Sequence, residues 1–399
     1  MRAFFDDADF NFLTEIALGA VFHRAADTGE VLTTVDRIQS GNPQSWVSAW
    51  TDTASRLQSQ ALAAEKAAHR YSAAAELLRV SMYFALATYS ADGAGDADLF
   101  PSLWEKHRTA WDRFVELQAP SIEHIAIPYE QTSLEAYFFR AGGVGERRRT
   151  LIFNDGSDGA VTAAWVQGIA DALARGWNAV TFDGPGQNAS LVRQHLWFRP
   201  DWERVITPVV DYLHTRPDVD AERLALLGVS QGGYWVPRAV AFEHRIAAAV
   251  ADPGVIDVSA AMLSHLPDFM VRMLDQGDKE QFDRDMELSL STSPETRALL
   301  KFRMRPYGTT STFDFFTAAR AYTLSAETVQ QISCPVLVTN PEREQFWPGQ
   351  AQQLYDLLPG SKAMVAFTEA EGADGHCEPA ANAIRGERIF DWLDERIPG

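Results

Sequence analysis

The run Leu226-Leu227-Gly228-Val229-Ser230-Gln231-Gly232-Gly233 joins an aliphatic segment to a Gly-x-Ser-x-Gly cluster. Spacing alone is weak evidence, because three positions drawn at about 7% usage recur by chance in roughly one chain in ten of this length. The setting is stronger. The cluster follows the β-branched and aliphatic residues 223–229 and precedes an amphipathic stretch at 234–242, the pattern of a strand that turns abruptly into a helix. At such an elbow the central serine is held in a strained conformation with its Oγ clear of the sheet, and the flanking glycines remove Cβ atoms that would collide. Ser230 is thereby the candidate nucleophile, and an α/β fold with a mostly parallel central sheet is expected.

Bulk properties narrow the partners. A chain of 399 residues with 46% hydrophobic content can bury a sizeable core. Its formal charge of -19 and pI near 4.9 argue against nucleic acid and anionic membranes, which need clustered Lys and Arg. A small-molecule substrate is expected instead. The opening Met1-Arg2-Ala3-Phe4-Phe5-Asp6-Asp7 lacks a basic then apolar leader, and no stretch approaches the length of a membrane span; the expectation is a cytoplasmic protein. Cys334 and Cys377 are far apart and in no metal-ligand spacing, so no metal, cofactor or disulfide framework is expected.

Residues 1–118 read as an all-helical N-terminal domain. Trp46, Trp50, Ala54, Leu57 and Ala61, then Ala68, Tyr71, Ala75, Leu78, Met82, Ala85 and Tyr89, recur at three- and four-residue steps. Asn42-Pro43 supplies an N-cap and first-turn proline, and residues 93–98 read as a loop. Residues 119–254 form the first part of the core: strands at 122–128, 134–140 and 150–154, then helix 161–174, strand 179–182, helix 201–213, strand 224–229, the elbow helix and strand 247–251. From 255 to 331 the alternation gives way to helical patterning, an expected cap insertion. It holds five of the eight methionines, among them Met262, Met270 and Met304, and flexible thioethers suit either an adaptable pocket wall or ordinary helix core. Residues 332–399 complete the core with strands 336–339 and 363–367 and helix 380–397.

An elbow serine is inert near neutral pH without a base, and the base needs a carboxylate to fix its tautomer. In this architecture the order is serine, acid, histidine. His376, in Gly372-Ala373-Asp374-Gly375-His376-Cys377 after the last strand, is the only one of nine histidines so placed. Asp374 is too near in sequence to orient it. The acid should follow the preceding strand, where the chain reads Thr339-Asn340-Pro341-Glu342-Arg343-Glu344; Glu344 or Glu342 must serve, and a few loop residues past the strand end favour Glu344. An oxyanion hole needs two backbone N–H donors. Gln231 supplies one, and Ser157, in Asp155-Gly156-Ser157-Asp158-Gly159, is the choice for the other. Asp183-Gly184-Pro185-Gly186-Gln187 reads as a structural turn at the floor of the site. Asp158 and Asp257 are candidate substrate contacts, although a helix N-cap also explains Asp257. The aromatics Phe10, Phe12, Trp46, Trp50, Phe313, Phe315 and Phe316 suggest an apolar substrate or simply core.

The combination of residues 154–159, Phe182 with the turn at 183–187, the elbow at 228–233 and Gly375-His376-Cys377 resembles the α/β-hydrolase branch of 2,6-dihydroxypseudooxynicotine hydrolase and the fungal polyketide chain-shortening hydrolases. Leu18-Gly19, residues 26–31 and Ser45-Trp46 are similar to that branch's leading helical domain. The resemblance implies an α/β-hydrolase fold with Ser230 as nucleophile, His376 as base and Glu344 where relatives usually carry Asp. It also implies a cleft between core, cap and N-terminal helices, and a homodimer. Several members cleave a carbon-carbon bond beside a ketone, and ester hydrolysis would use the same residues. The alternatives are an acyltransferase or cyclase working through the same acyl-enzyme, or a non-catalytic binding module, for which a strained serine has no use.

Overall fold

The computed structural model describes residues 4–96 and 98–399. Residues 1–3, part of the segment read for a leader, and residue 97, inside the expected loop 93–98, lie outside it. Five helices lead: α1 (Ala8–Gly19), α2 (Thr28–Val35), α3 (Pro43–Lys66), α4 (Arg70–Thr88) and α5 (Leu99–Gln118). The Asn42 side chain accepts from the N–H of Ser45 at 3.0 Å, with Pro43 in the first turn, so α3 starts where a side-chain acceptor meets a residue that lacks an N–H.

Eight strands follow: β1 (Ile122–Tyr129), β2 (Thr132–Phe139), β3 (Arg148–Asn154), β4 (Asn178–Phe182), β5 (Val219–Val229), β6 (Ala248–Asp252), β7 (Val336–Pro341) and β8 (Lys362–Phe367). They form one sheet in the order β1-β2-β4-β3-β5-β6-β7-β8. β1 and β2 pair antiparallel, as do β2 and β4, and every other pair is parallel. This is the mostly parallel sheet expected from the alternation of strands and helices, and the α/β-hydrolase architecture that the resemblance implies.

Side chains alternate across this sheet even where both faces are covered. Leu151, Phe153, Ala225, Leu227 and Val250 point into a core shared with α1–α5 and with the last helix, Asn382–Arg396. Ile152, Leu224, Leu226, Ala249 and Ala251 face the opposite core, against helices Glu203–His214 and Gly232–Val240. The N-terminal helices are thus continuous in packing with one face of the sheet. Between β6 and β7 the chain forms six short helices, from Ser259–Leu263 to Ala326–Val329. Their own small core contains Met270, Leu274, Phe282, Met304, Phe315 and Phe316. Among the described residues no helix is long and apolar enough to cross a membrane.

Local departures from the expected elements have identifiable causes. The helix expected over 161–174 is interrupted by a π turn at Trp165–Ile169, where Gly168 lies so close to the Phe153 ring that a Cβ would approach it to 2.8 Å. β5 starts five residues earlier than the expected strand 224–229, through the polar Asp220, Glu222 and Arg223. Helix Gln350–Leu357, between β7 and β8, was not anticipated.

Candidate active site

β5 ends at Val229 and the next helix begins at Gly232, so the chain reverses around Ser230, whose φ is +56°. A left-handed backbone is unfavourable for a residue with a Cβ and persists only when its surroundings enforce it. Here the Ser230 N–H donates to the Asp252 carbonyl at 2.7 Å, and the Gly233 N–H donates back to the Ser230 carbonyl at 2.8 Å. A Cβ at Gly228 would run into the Gly232 carbonyl and the Val236 side chain, which makes glycine necessary at that position.

From this bend Ser230 Oγ lies 2.9 Å from His376 Nε2, and His376 Nδ1 lies 2.8 Å from Glu344 Oε2. The His376 and Glu344 side chains are only 6% and 5% exposed, so water competes little for these contacts. Glu344 Oε1 accepts from the N–H groups of Phe346 at 2.9 Å and Trp347 at 3.1 Å. Burial pushes the Glu344 carboxyl up, but the charge and hydrogen bond of His376, joined by those two N–H groups, hold it below the usual carboxylate range. The carboxylate is therefore ionised and fixed on both oxygens. The imidazole is boxed by aromatic rings, with Phe346 at 4.7 Å, Trp347 at 5.7 Å and Phe12 of α1 at 6.4 Å between centroids.

Glu342 is turned elsewhere. Its Oε2 accepts from the Glu369 N–H at 2.8 Å, while Arg343 pairs with Asp374 at 2.8 Å and with Glu369. Of the three carboxylates weighed for this role, Glu342, Glu344 and Asp374, Glu344 alone meets the histidine.

The loop after β3 crosses the elbow closely enough that a Cβ on Gly156 would sit 2.8 Å from Ser230 Cβ. The Gly156 N–H is already engaged by Asp155 Oδ1 at 2.8 Å. The N–H groups of Ser157 and Gln231 have no protein acceptor among the described residues, and both residues line the adjoining cavity. Gln187 clamps this loop, donating from Nε2 to the carbonyls of Asp155 at 3.0 Å and Gly156 at 2.6 Å. The 183–187 turn thus holds the loop that carries Ser157.

A cavity of about 750 Å³, including its open mouth, lies between α4 and α5, the core loops and the cap, walled by Trp104, His107, Ser157, Gln231, Phe302 and Tyr307. Asp158 also lines it, but its carboxylate pairs with Arg303 of the cap at 3.0 Å. Asp257 does not line it. Its Oδ1 accepts from the Ser259 N–H at 2.9 Å and Oγ at 2.7 Å, two residues on, where helix Ser259–Leu263 begins. Most of the aromatics and methionines suggested for the pocket are core: Phe10, Trp46, Trp50, Phe315 and Phe316 are buried away from it, and of the cap methionines Met262 alone reaches the cavity.

Behind the elbow sits an ionic group that the sequence reading missed. Asp252, Glu378 and Arg385 are essentially inaccessible. Arg385 Nε donates to Asp252 Oδ2 at 2.7 Å, Thr339 Oγ1 donates to Asp252 Oδ1 at 2.6 Å, and Glu378 Oε2 lies 3.4 Å from Arg385 Nε. Burial pushes the Glu378 carboxyl well above its ordinary value, and the Asp252 charge pushes it further. Arg385 thus ties Asp252, at the end of β6, and Glu378, in the loop after His376, to the last helix. The signal was Arg385, a charge on the apolar face of its helix.

The sheet, the elbow and the loops above its C-terminal edge define the class: an enzyme with the α/β-hydrolase fold. The resemblance read from the motifs is borne out along the chain. A hydrolase of Fusarium sp is 28% identical over 99% of this chain and 98% of its own length, and the 20-hydroxy-prefusarin hydrolase of Gibberella moniliformis is 26% identical over 99% and 98%. The crystal structure of the 2,6-dihydroxy-pseudo-oxynicotine hydrolase superposes with a TM-score of 0.75, covering 95% of each chain at 17% identity. The model of the prolyl oligopeptidase family matches residues 205–301, which include the elbow.

Proposed function

We propose that the protein is a serine hydrolase that cleaves a carbon-carbon bond next to a ketone, or an ester, in a mid-sized apolar or aromatic, polyketide-like substrate. The observation that carries this reading is the line Ser230 Oγ, His376, Glu344, with gaps of 2.9 and 2.8 Å at a strained elbow. His376 takes the Ser230 proton as Oγ attacks the carbonyl carbon, and Glu344 stabilises the imidazolium. The negative charge on the carbonyl oxygen is met by the Gln231 and Ser157 N–H groups, each worth about 3 kcal/mol where such donors have been removed. Collapse breaks the bond to the leaving group, which departs as an alcohol or as an enol after taking the proton from His376. Water, deprotonated by His376, then releases the acyl group and restores Ser230.

The substrate class is supported by the aromatic surface that Trp104, Phe302 and Tyr307 give the cavity wall, and by a relative whose name specifies 20-hydroxy-prefusarin. A panel of p-nitrophenyl esters beside aryl 1,3-diketones tests the reading. Turnover of either class, lost in Ser230→Ala, is expected. Diketone cleavage assigns the carbon-carbon reaction, ester turnover alone removes it, and no turnover of either contradicts the proposal.

A further inference from the structure

We propose that His107 is a specificity-determining residue, its Nε2 accepting a hydrogen bond from a hydroxyl group of the substrate; this rests on the substrate occupying the cavity described above. His107 lies on α5, one turn after Trp104, and its ring is fully buried in the cavity wall. Nδ1 lies 2.9 Å from the Ser81 carbonyl oxygen and 2.9 Å from Ser81 Oγ, which itself lies 2.6 Å from Thr162 Oγ1. A carbonyl oxygen can only accept, so Nδ1 carries the hydrogen and the tautomer is set. Burial pushes the imidazole down to about 4, with the neighbouring Arg108 charge acting in the same direction against the Ser81 contact. At neutral pH Nε2 is therefore a bare lone pair.

That lone pair has no partner among the described residues. A buried acceptor left unsatisfied is costly, and here what fills the cavity can satisfy it. The other polar groups of the wall differ. Arg303 is paired with Asp158 and Arg305 with Asp92. Tyr307 Oη, also unpartnered, can donate as well as accept and does not discriminate, and the unpartnered Gln231 Nε2 can only donate. His107 can only accept, so it favours a ligand with an O–H at that end and penalises the same ligand with the oxygen methylated.

Binding of 2-naphthol and 2-methoxynaphthalene to the full chain, measured by calorimetry, tests this. The naphthol should bind about five- to tenfold more tightly than the ether. His107→Leu should bring the ratio to about one, and His107→Gln, whose side-chain oxygen reaches a similar position, should retain part of it. With histidine-¹⁵N-labelled protein, the Nε2 resonance of His107 should move upfield on adding naphthol and stay in place with the ether, a readout that needs no variant to fold. Equal affinities, undetectable naphthol binding, an undiminished ratio in His107→Leu or an unmoved resonance would each overturn the inference. Because binding requires no turnover, failure of the serine chemistry would leave these results intact, and turnover without a hydroxyl preference would overturn this inference alone.

Discussion

Two glutamates separated by one arginine follow β7, and local sequence could rank them but not orient them. Glu342 continues the strand's direction, its N–H donating to the Phe367 carbonyl at 2.8 Å, so its side chain leaves the site. Glu344 lies beyond the turn, where the N–H groups of Phe346 and Trp347 converge on one oxygen and His376 on the other. Glu344→Gln should therefore lower kcat on the order of 10³- to 10⁴-fold, through loss of tautomer control, whereas Glu342→Gln should stay within about threefold. Steady-state kinetics on a p-nitrophenyl ester checks the ranking, and the reverse order would move the role to Glu342. His376 was legible because it alone sits between the last strand and the last helix. Asp252 and Glu378 were not: Asp252 lies 133 residues before Arg385, and a charge on the apolar face of the last helix marks a buried cation without identifying the carboxyl groups it joins.

At the scale of elements, strands with aliphatic alternation were readable wherever local burial dominates: β3, β4, β6 and β7 lie within two residues of their expected bounds. Where pairing rather than local hydrophobicity decides, the text was silent. The polar start of β5 is held as strand by its neighbours, and nothing local predicts that β4 inserts between β2 and β3. The loop after β3 is a further case. Its glycines were visible, but not that Asp155 would be buried with Oδ2 unpartnered and Gly159 packed against the carboxyl. Burial pushes the Asp155 carboxyl up to about 8 against the pull of the Gly156 N–H, with the charges of Asp158 and Asp183 adding to the rise. Between the ordinary value of 3.8 and about 8 the folded chain holds a proton that the unfolded chain has released, so this group's contribution to stability falls as pH rises through that window. Asp155→Asn is the neutral isostere. Its melting temperature relative to the parent should rise from pH 5 to pH 8.5, followed by scanning fluorimetry, and a pH-independent difference would contradict the assignment.

For the whole molecule, the N-terminal helices, core and cap are joined through charges around the cavity. Asp92, just after α4 and only 6% exposed, pairs with Lys301 at 3.0 Å and with Arg305, both from the cap, while Arg303 reaches Asp158 of the core. Arg305 also lies over the Phe100 ring at 3.7 Å, a placement that favours a cation. Truncating Asp92 leaves two cap cations without their partner. Asp92→Ala should cost about 1–3 kcal/mol in urea unfolding and raise KM more than it lowers kcat, because it loosens a cavity wall and leaves the serine untouched. An unchanged KM would show that the cap is held by its apolar contacts instead.

Every step proposed for the chemistry depends on a reactive hydroxyl at the elbow. Treatment with a fluorophosphonate probe, followed by mass mapping of the adduct, tests that most directly. The account predicts a single covalent adduct on Ser230, absent in Ser230→Ala and strongly slowed in His376→Ala although both variants remain folded. Persistent labelling of Ser230→Ala, or no labelling of the folded parent chain, would contradict it.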